Sequence, residues 1–148
     1  MIINLKDLDI NYIVEGEGSP IIVLHGWGCN IETVRSIINI LNNRYQVYAL
    51  DLPGFGSSEA PKEAIGSFEY AEIVREFMSK MNIDKGTFIG HSFGGKISII
   101  MASKYPELVD KIVLIDSAGL IPKRGAKYYI KVYSFKALRY IYTKLFFW

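Results

Sequence analysis

Short apolar runs that are separated by helical segments constrain the fold of this chain more than any other feature of its sequence. Pro20–Leu24 (PIIVL) is an uninterrupted apolar run, and YQVYALDL from Tyr45 contains another. Such runs are typical of strands that are covered on both faces. GTFIG (Gly86–Gly90) and KIVLID (Lys111–Asp116) predict two further strands.

The segments between these strands have the apolar periodicity of α-helices. Apolar side chains recur at helical spacing in Ile31–Leu41, behind Asn30 as an N-cap, and again in Tyr70–Met81. A third helix is predicted from about Phe93 to Lys104, because Pro106 forbids its continuation. Since strands and helices alternate, we expect an α/β fold with a mostly parallel sheet and helices on both faces.

The first residues of the chain predict a β-hairpin that precedes this alternating pattern. Asn4–Leu8 and Ile10–Glu15 are predicted as two short strands around the turn Asp7-Leu8-Asp9. The turn cluster GEGSP (Gly16–Pro20) follows the second strand. With this hairpin, the number of expected strands is six.

The composition is that of an ordinary folded protein. Half of the 148 residues are hydrophobic and 22% are charged, which excludes general disorder. Cys29 is the single cysteine, so no intramolecular disulfide can form and nothing points to an oxidising compartment. The first residues carry charges at Lys6, Asp7 and Asp9, and no run of about 18 apolar residues occurs. We therefore expect one compact cytoplasmic unit without an export signal or a membrane span.

The stretch FIGHSFGGKI (Phe88–Ile97) contains two overlapping motifs that lead to different chemistry. G-x-S-x-G from Gly90 makes Ser92 a nucleophile, whereas G-x-x-x-x-G-K makes the same loop a phosphate cradle closed by Lys96. A phosphate cradle needs Ser or Thr after the lysine to bind magnesium, and Ile97 occupies that position. The sequence therefore favours the nucleophile.

A nucleophile elbow also explains why glycine lies two residues before and after the serine. Ser92 would stand at the apex in a strained backbone conformation, and side chains at Gly90 and Gly94 would collide with it. The helix that begins near Phe93 would place its N-terminal amides beside Ser92, where negative charge develops during attack on a carbonyl.

Two other segments carry motifs that accompany this elbow. HGWG (His25–Gly28) follows the third strand, and DLPGFGSS (Asp51–Ser58) follows the fourth. Together with GHSFGG (Gly90–Gly95), in this order and spacing, they resemble the α/β-hydrolase superfamily, specifically its esterase and C–C hydrolase-like branch. The resemblance extends from Met1 to about Gly119. It implies a serine-nucleophile hydrolase that acts on ester or related carbonyl bonds of a small molecule through an acyl-serine, without a metal or other cofactor.

The resemblance also implies roles for individual residues. Ser92 corresponds to the nucleophile, and the backbone N–H groups of Trp27 and Phe93 correspond to the two donors of the oxyanion hole. His25 corresponds to the histidine that orders the oxyanion loop and does not act as the base.

The general base and its acidic partner are absent from the positions that the resemblance implies. The family order is Ser, then Asp or Glu, then His, and no histidine follows Ser92 in this chain. His91 is a candidate base, although successive side chains at a strand end point apart. Asp116 is a candidate acid, and its simpler interpretation is a strand-end residue whose carboxylate binds nearby backbone N–H groups.

The chain thus resembles the N-terminal part of a hydrolase, an α/β-hydrolase fold truncated after about strand six. Residues 1–120 correspond to the core and residues 121–148 to the start of a helical cap. The sixth strand of the family pairs with a seventh, so Lys111–Asp116 would present unpaired backbone groups on an apolar edge. We expect self-association through this strand, as a dimer or an aggregate.

The tail from Ile121 to Trp148 is basic and rich in aromatic residues. It has no acidic residue, whereas all 15 acidic residues of the chain precede Ser117. Its basic residues are Lys123, Arg124, Lys127, Lys131, Lys136, Arg139 and Lys144. The pattern predicts an amphipathic helix whose apolar face covers the substrate pocket as a cap. Binding to a membrane surface is the chief alternative. No nucleic-acid partner is expected, because no recognised nucleic-acid-binding fold accompanies the basic residues.

The sequence leaves two main functions open. The first is a serine hydrolase of the esterase type, which is complete only if the missing acid and histidine come from elsewhere. The second is a non-catalytic protein that binds a small molecule with the pocket and the elbow but lacks the base. Association with a membrane surface through the tail is a third.

Overall fold

The computed structural model describes residues 1–120 and 125–146. Six strands are present in these ranges: β1 (Ile2–Leu5), β2 (Leu8–Glu15), β3 (Pro20–Leu24), β4 (Gln46–Leu50), β5 (Gly86–His91) and β6 (Val109–Ile115). The helices are α1 (Arg35–Leu41), α2 (Ser67–Lys80), α3 (Phe93–Lys104) and α4 (Ala126–Phe146), with 3₁₀ turns at Ile31–Val34 and Pro106–Leu108. Of the predicted tail, Lys123, Arg124, Phe147 and Trp148 lie outside the described residues.

The six strands form one sheet in the order β1-β2-β4-β3-β5-β6. β3 pairs in parallel with both β4 and β5, and β5 pairs in parallel with β6. The hairpin strands β1 and β2 are antiparallel, and β2 joins the sheet against β4. The predicted mostly parallel α/β sheet is therefore confirmed.

Helices cover both faces of the sheet, because successive side chains of a strand point to opposite faces. Ile21 belongs to the buried cluster that contains Ile38 of α1. Ile22 and Leu24 belong to the opposite cluster, which contains Phe77 of α2 and residues of α3. Burial on both faces accounts for the uninterrupted apolar run of β3.

The hairpin turn lies earlier in the chain than we expected. Leu5 pairs with Leu8, so the turn consists of Lys6 and Asp7, with φ of +49° and +62°. Positive φ at both central residues is the geometry of a type I′ turn, for which Asn-Gly or Asp-Gly is the usual signal. The prediction of a turn at Asp7-Leu8-Asp9 was wrong, because this turn contains no glycine and its register places Leu5 and Ile10 in the core.

The helices between the strands agree with their predicted positions. Asn30 caps the first one as expected, since its side-chain oxygen accepts a hydrogen bond from the Thr33 amide at 3.3 Å. This helix is divided into a 3₁₀ turn and α1, a frequent arrangement at helix N-termini. The predicted third helix coincides with α3.

β6 is an edge strand, and within residues 1–120 and 125–146 it pairs with β5 alone. Its apolar side chains remain accessible, with exposed fractions of 38% for Ile112, 46% for Val113 and 37% for Ile115. Because neighbouring residues of a strand point to opposite faces, β6 exposes apolar surface on both faces of the sheet. An edge with these properties is a template for pairing with another chain.

α4 contains the predicted tail helix. From Ala126 to Lys144 every side chain is exposed except Val132, which is half-buried. In the described ranges, no helix has the combined length and apolar character needed to cross a membrane.

We expect the chain to self-associate through β6, as a dimer or larger species at micromolar concentration. Val113→Lys should weaken this association about tenfold, because a lysine on an edge strand places like charges across a two-fold pair. Light scattering after size-exclusion chromatography measures the mass. Ile40→Lys is the control, since Ile40 is 75% exposed on α1. A monomeric mass for the unsubstituted chain would contradict the prediction.

Candidate active site

Ser92 lies in the sharp connection between β5 and α3, at the carboxyl end of the parallel strands. Its φ is +50° and its ψ is −106°, a conformation that costs a non-glycine residue roughly 1–3 kcal/mol. Besides its bond to the Lys96 amide within α3, two backbone hydrogen bonds hold it there. The Ser92 amide donates to the Ile115 carbonyl at 3.0 Å, and the Ala118 amide donates to the Ser92 carbonyl at 2.9 Å. The end of β6 therefore holds the strained residue in place.

The glycines around Ser92 allow a close backbone approach that no side chain would permit. A Cβ at Gly90 would lie 2.5 Å from the carbonyl oxygen of Gly94. A Cβ at Gly94 would lie 2.2 Å from the carbonyl oxygen of Leu24, the last residue of β3. The start of α3 thus packs directly against the loop that follows β3.

That loop turns tightly beside the serine. The Cys29 amide donates to the Gly26 carbonyl at 3.2 Å, and Gly28 has a φ of +71°, as the third residue of a type II turn requires. A Cβ on Gly26 would lie 3.4 Å from the Cβ of Ser92. Trp27, the second residue of the turn, is therefore held next to the elbow.

The two amides that correspond to the oxyanion-hole donors are available to a ligand. Phe93 is the first residue of α3, so its N–H has no partner within the helix. No carbonyl in the described ranges accepts the Trp27 amide. The N-terminus of α3 adds a partial positive charge. The two amides and the helix N-terminus can therefore bind an anionic oxygen.

His25 is fully buried and uses both ring nitrogens in hydrogen bonds. The Leu52 amide donates to Nε2 at 2.9 Å, so Nδ1 carries the proton and donates to the Gly26 carbonyl at 2.7 Å. Burial is the main cause that lowers the pKa of His25 below its ordinary value. A neutral imidazole thus connects the loop after β3 to the loop after β4, and neither nitrogen is available to Ser92.

Asp51 is a buried residue whose part in the site the sequence analysis missed. Its carboxylate accepts hydrogen bonds from the Ile31 amide at 2.7 Å, the Asn11 side chain at 2.8 Å and the Ser57 amide at 2.9 Å. Its position at the end of an apolar strand, before a Gly- and Ser-rich loop, was the available signal. Asp51 therefore shapes the loop that carries Phe55.

Four rings form an aromatic cluster next to the elbow, consisting of Trp27, Phe55, Tyr70 and Phe93. The Trp27 ring lies 4.9 Å from Phe55 and 5.2 Å from Phe93, in edge-to-face geometry. Phe93 contacts Tyr70 at 5.1 Å, and the Tyr70 hydroxyl donates to the Pro53 carbonyl at 3.0 Å. The sequence analysis did not assign Phe55 or Tyr70 to the site, because they come from separate parts of the chain. Trp27 is 65% exposed, so the cluster presents apolar surface to a ligand.

His91 lies close to the elbow without contacting the hydroxyl of Ser92. Its Nδ1 is 3.0 Å from the point where a Cβ of Gly26 would stand. Within the described residues, no hydrogen bond joins the Ser92 hydroxyl to either histidine. The geometry therefore keeps His91 near the serine but shows no formed nucleophile–base pair.

Asp116 follows β6 as an exposed residue with a φ of +45°. We expected its carboxylate to bind nearby backbone N–H groups. In the described part of the chain no hydrogen bond reaches this carboxylate, and water can solvate the charge at the exposed strand end. The role of Asp116 stays a prediction. Across residues 1–120 and 125–146, no group of three His, Cys, Asp or Glu side chains is arranged to hold a metal ion.

The chain is similar to a protein family and to several proteins of known structure. The family model described as the alpha/beta hydrolase fold matches residues 19–142. A solved membrane phospholipase A, described as a bacterial virulence factor, is 30% identical with a TM-score of 0.82, over 90% of this chain and 44% of that chain. A meta-cleavage product hydrolase of Pseudomonas fluorescens is 31% identical with a TM-score of 0.78, over 83% of this chain and 47% of that chain.

Curated relatives are similar over part of their length. A soluble epoxide hydrolase of Corynebacterium is 32% identical over 123 residues, which are 83% of this chain and 43% of the relative. An uncharacterized protein of Mycobacterium tuberculosis is 34% identical over 107 residues, or 72% of this chain and 31% of the relative. The chain therefore spans less than half of the length of these curated relatives.

Gly94→Ala should destabilise the protein by about 3 kcal/mol or more, because its Cβ would overlap the backbone of β3 rather than a movable side chain. Urea unfolding measures the change. Gly28→Ala is the matched control, since no atom lies within 4 Å of its Cβ position and only its positive φ opposes alanine, at about 1 kcal/mol. Equal effects of the two substitutions would contradict the packing described above.

Removal of the His25 imidazole should reduce the loss of stability in acid. Its folded pKa lies below the 6.5 of an ordinary histidine, so the unfolded chain binds the proton first. The stability that the neutral ring contributes is complete above that value and is lost as pH falls toward the folded pKa. The loss is expected between about pH 7.5 and 5.5, where an ordinary histidine takes up its proton.

Urea unfolding at both pH values tests this prediction. His25→Gln should lower stability at the higher pH and show a flatter pH dependence. His91→Gln is the matched control, because it removes one imidazole and leaves the buried one in place. The same pH dependence in His25→Gln as in the unsubstituted chain would contradict the prediction.

Proposed function

Because this chain belongs to the α/β-hydrolase fold family, we propose that it is a serine hydrolase of the esterase type, acting on small carbonyl substrates through an acyl-serine. The observation that carries the proposal is the backbone of Ser92, which is held at a φ of +50° between β5 and α3. Such strain persists where the surrounding structure over-determines it, and it is frequent at catalytic residues.

The proposed reaction begins when Oγ of Ser92 attacks the carbonyl carbon of the ester and its proton passes to a base. The carbonyl electron pair moves to oxygen, and the N–H groups of Trp27 and Phe93 donate to that anion. Collapse of the intermediate breaks the carbon–oxygen bond to the leaving alcohol, which takes up the proton. Water then releases the acid from the acyl-serine by the same steps. One oxyanion donor is typically worth roughly a hundredfold or more in rate.

The substrate is proposed to contact the aromatic cluster with an apolar group. Trp27 exposes most of its ring beside Ser92, and its contacts with Phe55 and Phe93 fix the ring orientation. The similar proteins are named as an epoxide hydrolase, a meta-cleavage product hydrolase and a phospholipase. These names support hydrolysis in general, and the ester bond is our own assignment.

The proposed mechanism needs a base other than His25, whose two nitrogens are already bound. His91 is the candidate within this chain, and Asp116 is the candidate acid. An imidazole from a partner chain, or from sequence outside these 148 residues, is the other source of the base. Without a base, an oxyanion hole and substrate binding alone leave roughly 10³–10⁴-fold catalysis over water.

Non-catalytic binding of a small molecule against the aromatic cluster and the two free amides is a second candidate function. The observation that favours it is the absence of a hydrogen bond between the Ser92 hydroxyl and any imidazole in the described residues. A protein of this kind would keep the aromatic cluster and the free amides but would not activate the serine.

Covalent labelling separates the two functions. We expect an alkyl fluorophosphonate to add one group to the intact protein, observed by mass spectrometry, because only an activated serine displaces the fluoride. Ser92→Ala should abolish the adduct. Ser57→Ala is the matched control, since Ser57 is an exposed serine on the neighbouring loop.

The result for His91 assigns the base. If His91 accepts the proton, His91→Gln should lower the labelling rate by about a hundredfold, within the range of general-base effects. An adduct that persists in Ser92→Ala would refute the assigned nucleophile. No adduct in the unsubstituted chain would refute serine activation and favour the binding function.

A further inference from the structure

One face of α4 is continuously uncharged over most of the helix. Successive residues of an α-helix are rotated by about 100°, so residues three, four, seven and eight apart share a face. The sector defined in this way contains Tyr129, Ile130, Tyr133, Ala137, Tyr140 and Ile141. We refer to these six residues as the α4 apolar face. Lys144 enters the same sector only in the last turn.

The α4 apolar face is accessible along its length. Ile130 is 70% exposed, Tyr133 is 65% exposed and Tyr140 is 62% exposed. At the two ends, Tyr129 is 48% and Ile141 is 52% exposed. Contiguous exposed apolar surface of this kind marks a site of protein or membrane interaction.

Positive charge surrounds this face. α4 contains five basic and no acidic residues, and four of the five lie outside the apolar sector: Lys127, Lys131, Lys136 and Arg139. The Lys136 ammonium lies 6.0 Å from the centre of the Tyr133 ring, and the Lys144 ammonium lies 5.6 Å from that of Tyr140. The Lys136 ammonium therefore stands at the border of the apolar face and the Lys144 ammonium at its C-terminal end, where both can meet anions while the face is buried.

We propose that α4 binds the surface of an anionic lipid bilayer and lies in its plane. In this position the apolar face enters the headgroup and acyl boundary, and the flanking lysines and arginine contact the lipid phosphates. Helices that bind in this manner combine basic residues with large apolar ones. The side of α4 that carries Lys131 and Arg139 also contains the exposed side chains of Phe135 and Leu138. At 21 residues, α4 is about 30 Å long, which is enough for several headgroup contacts.

The tyrosines favour a lipid interface over a dry protein interface. Tyr129, Tyr133 and Tyr140 carry a hydroxyl that has to find a hydrogen-bond partner when the ring is buried. Water and headgroups provide such partners at the membrane interface, where tyrosine is enriched. The sequence interpretation of the tail as a cap would instead bury this face over the substrate pocket.

The position of α4 in the chain places the candidate site near the proposed membrane contact. Ala118, whose amide binds the Ser92 carbonyl, precedes Ala126 by eight residues, so at most about 28 Å of chain separates them. Lipid binding by α4 does not depend on the chemistry of Ser92, and its test does not use activity.

Flotation of the full chain with vesicles tests the proposal, because bound protein rises in a density gradient whereas aggregated protein sinks. We expect flotation with vesicles of phosphatidylcholine mixed with phosphatidylglycerol, and at least about tenfold less with phosphatidylcholine alone. Added salt should reduce the floating fraction, since it screens the contacts between charges.

Two pairs of variants locate the binding surface. Ile130→Ser combined with Ile141→Ser should lower partitioning about tenfold or more, because apolar burial is lost while helix propensity is nearly unchanged. Ile40→Ser is the matched control, at an exposed fraction of 75% on α1. Lys127→Gln combined with Lys131→Gln should have a similar effect, with Lys62→Gln combined with Lys85→Gln as the control.

Three outcomes would overturn the proposal. The first is no flotation with anionic vesicles, and the second is flotation that neither pair of α4 variants reduces. In the third, the protein stays in the dense fraction, and the isoleucine variants abolish its self-association in lipid-free buffer. This result would mean that a second copy of the chain covers the α4 apolar face. Ultraviolet circular dichroism of each variant shows whether its helix content is retained.

Discussion

The close approach of α3 to the end of β3 is the contact on which the rest of the site depends. Gly94 lies so near the Leu24 carbonyl that no Cβ fits between them, and Gly90 lies equally close to the first turn of α3. This packing forces Ser92 into a left-handed conformation at the top of the sheet. It also brings the free N–H of Phe93 next to the turn that contains Trp27. The strained backbone, the half-buried serine at the strand end and the position of the two amides therefore have one common cause.

Polar groups that are buried beneath this contact hold the surrounding loops. The neutral ring of His25 connects the loop after β3 to the loop after β4, and the carboxylate of Asp51 accepts three hydrogen bonds from separate segments. Each of these groups is satisfied, so its burial does not carry the cost of an unpaired polar atom. These bonds position Phe55, and Phe55 in turn positions the aromatic cluster next to Ser92.

Both β6 and α4 keep apolar surface accessible after the core has formed, and the two surfaces differ in chemistry. β6 offers unpaired backbone groups as well as apolar side chains, which suits another strand. α4 satisfies its backbone internally and carries five positive charges, four of them outside its apolar face, which suits an anionic interface. The separation of charge along the chain, with acidic residues confined to the segment before Ser117, gives these surfaces different partners.

The sequence by itself determined the order of strands and helices, the α/β class, the family and the sharp glycine-flanked turn at Ser92, because apolar periodicity, Pro106 and closely spaced glycines act on neighbouring residues. Only the tertiary structure decided where the first hairpin turns, since the register depends on Leu5 reaching the core. It alone showed that Asp51 organises three segments and that Tyr70 belongs to the aromatic cluster. Contacts between residues far apart in the chain depend on packing, and a local pattern contains no information about them.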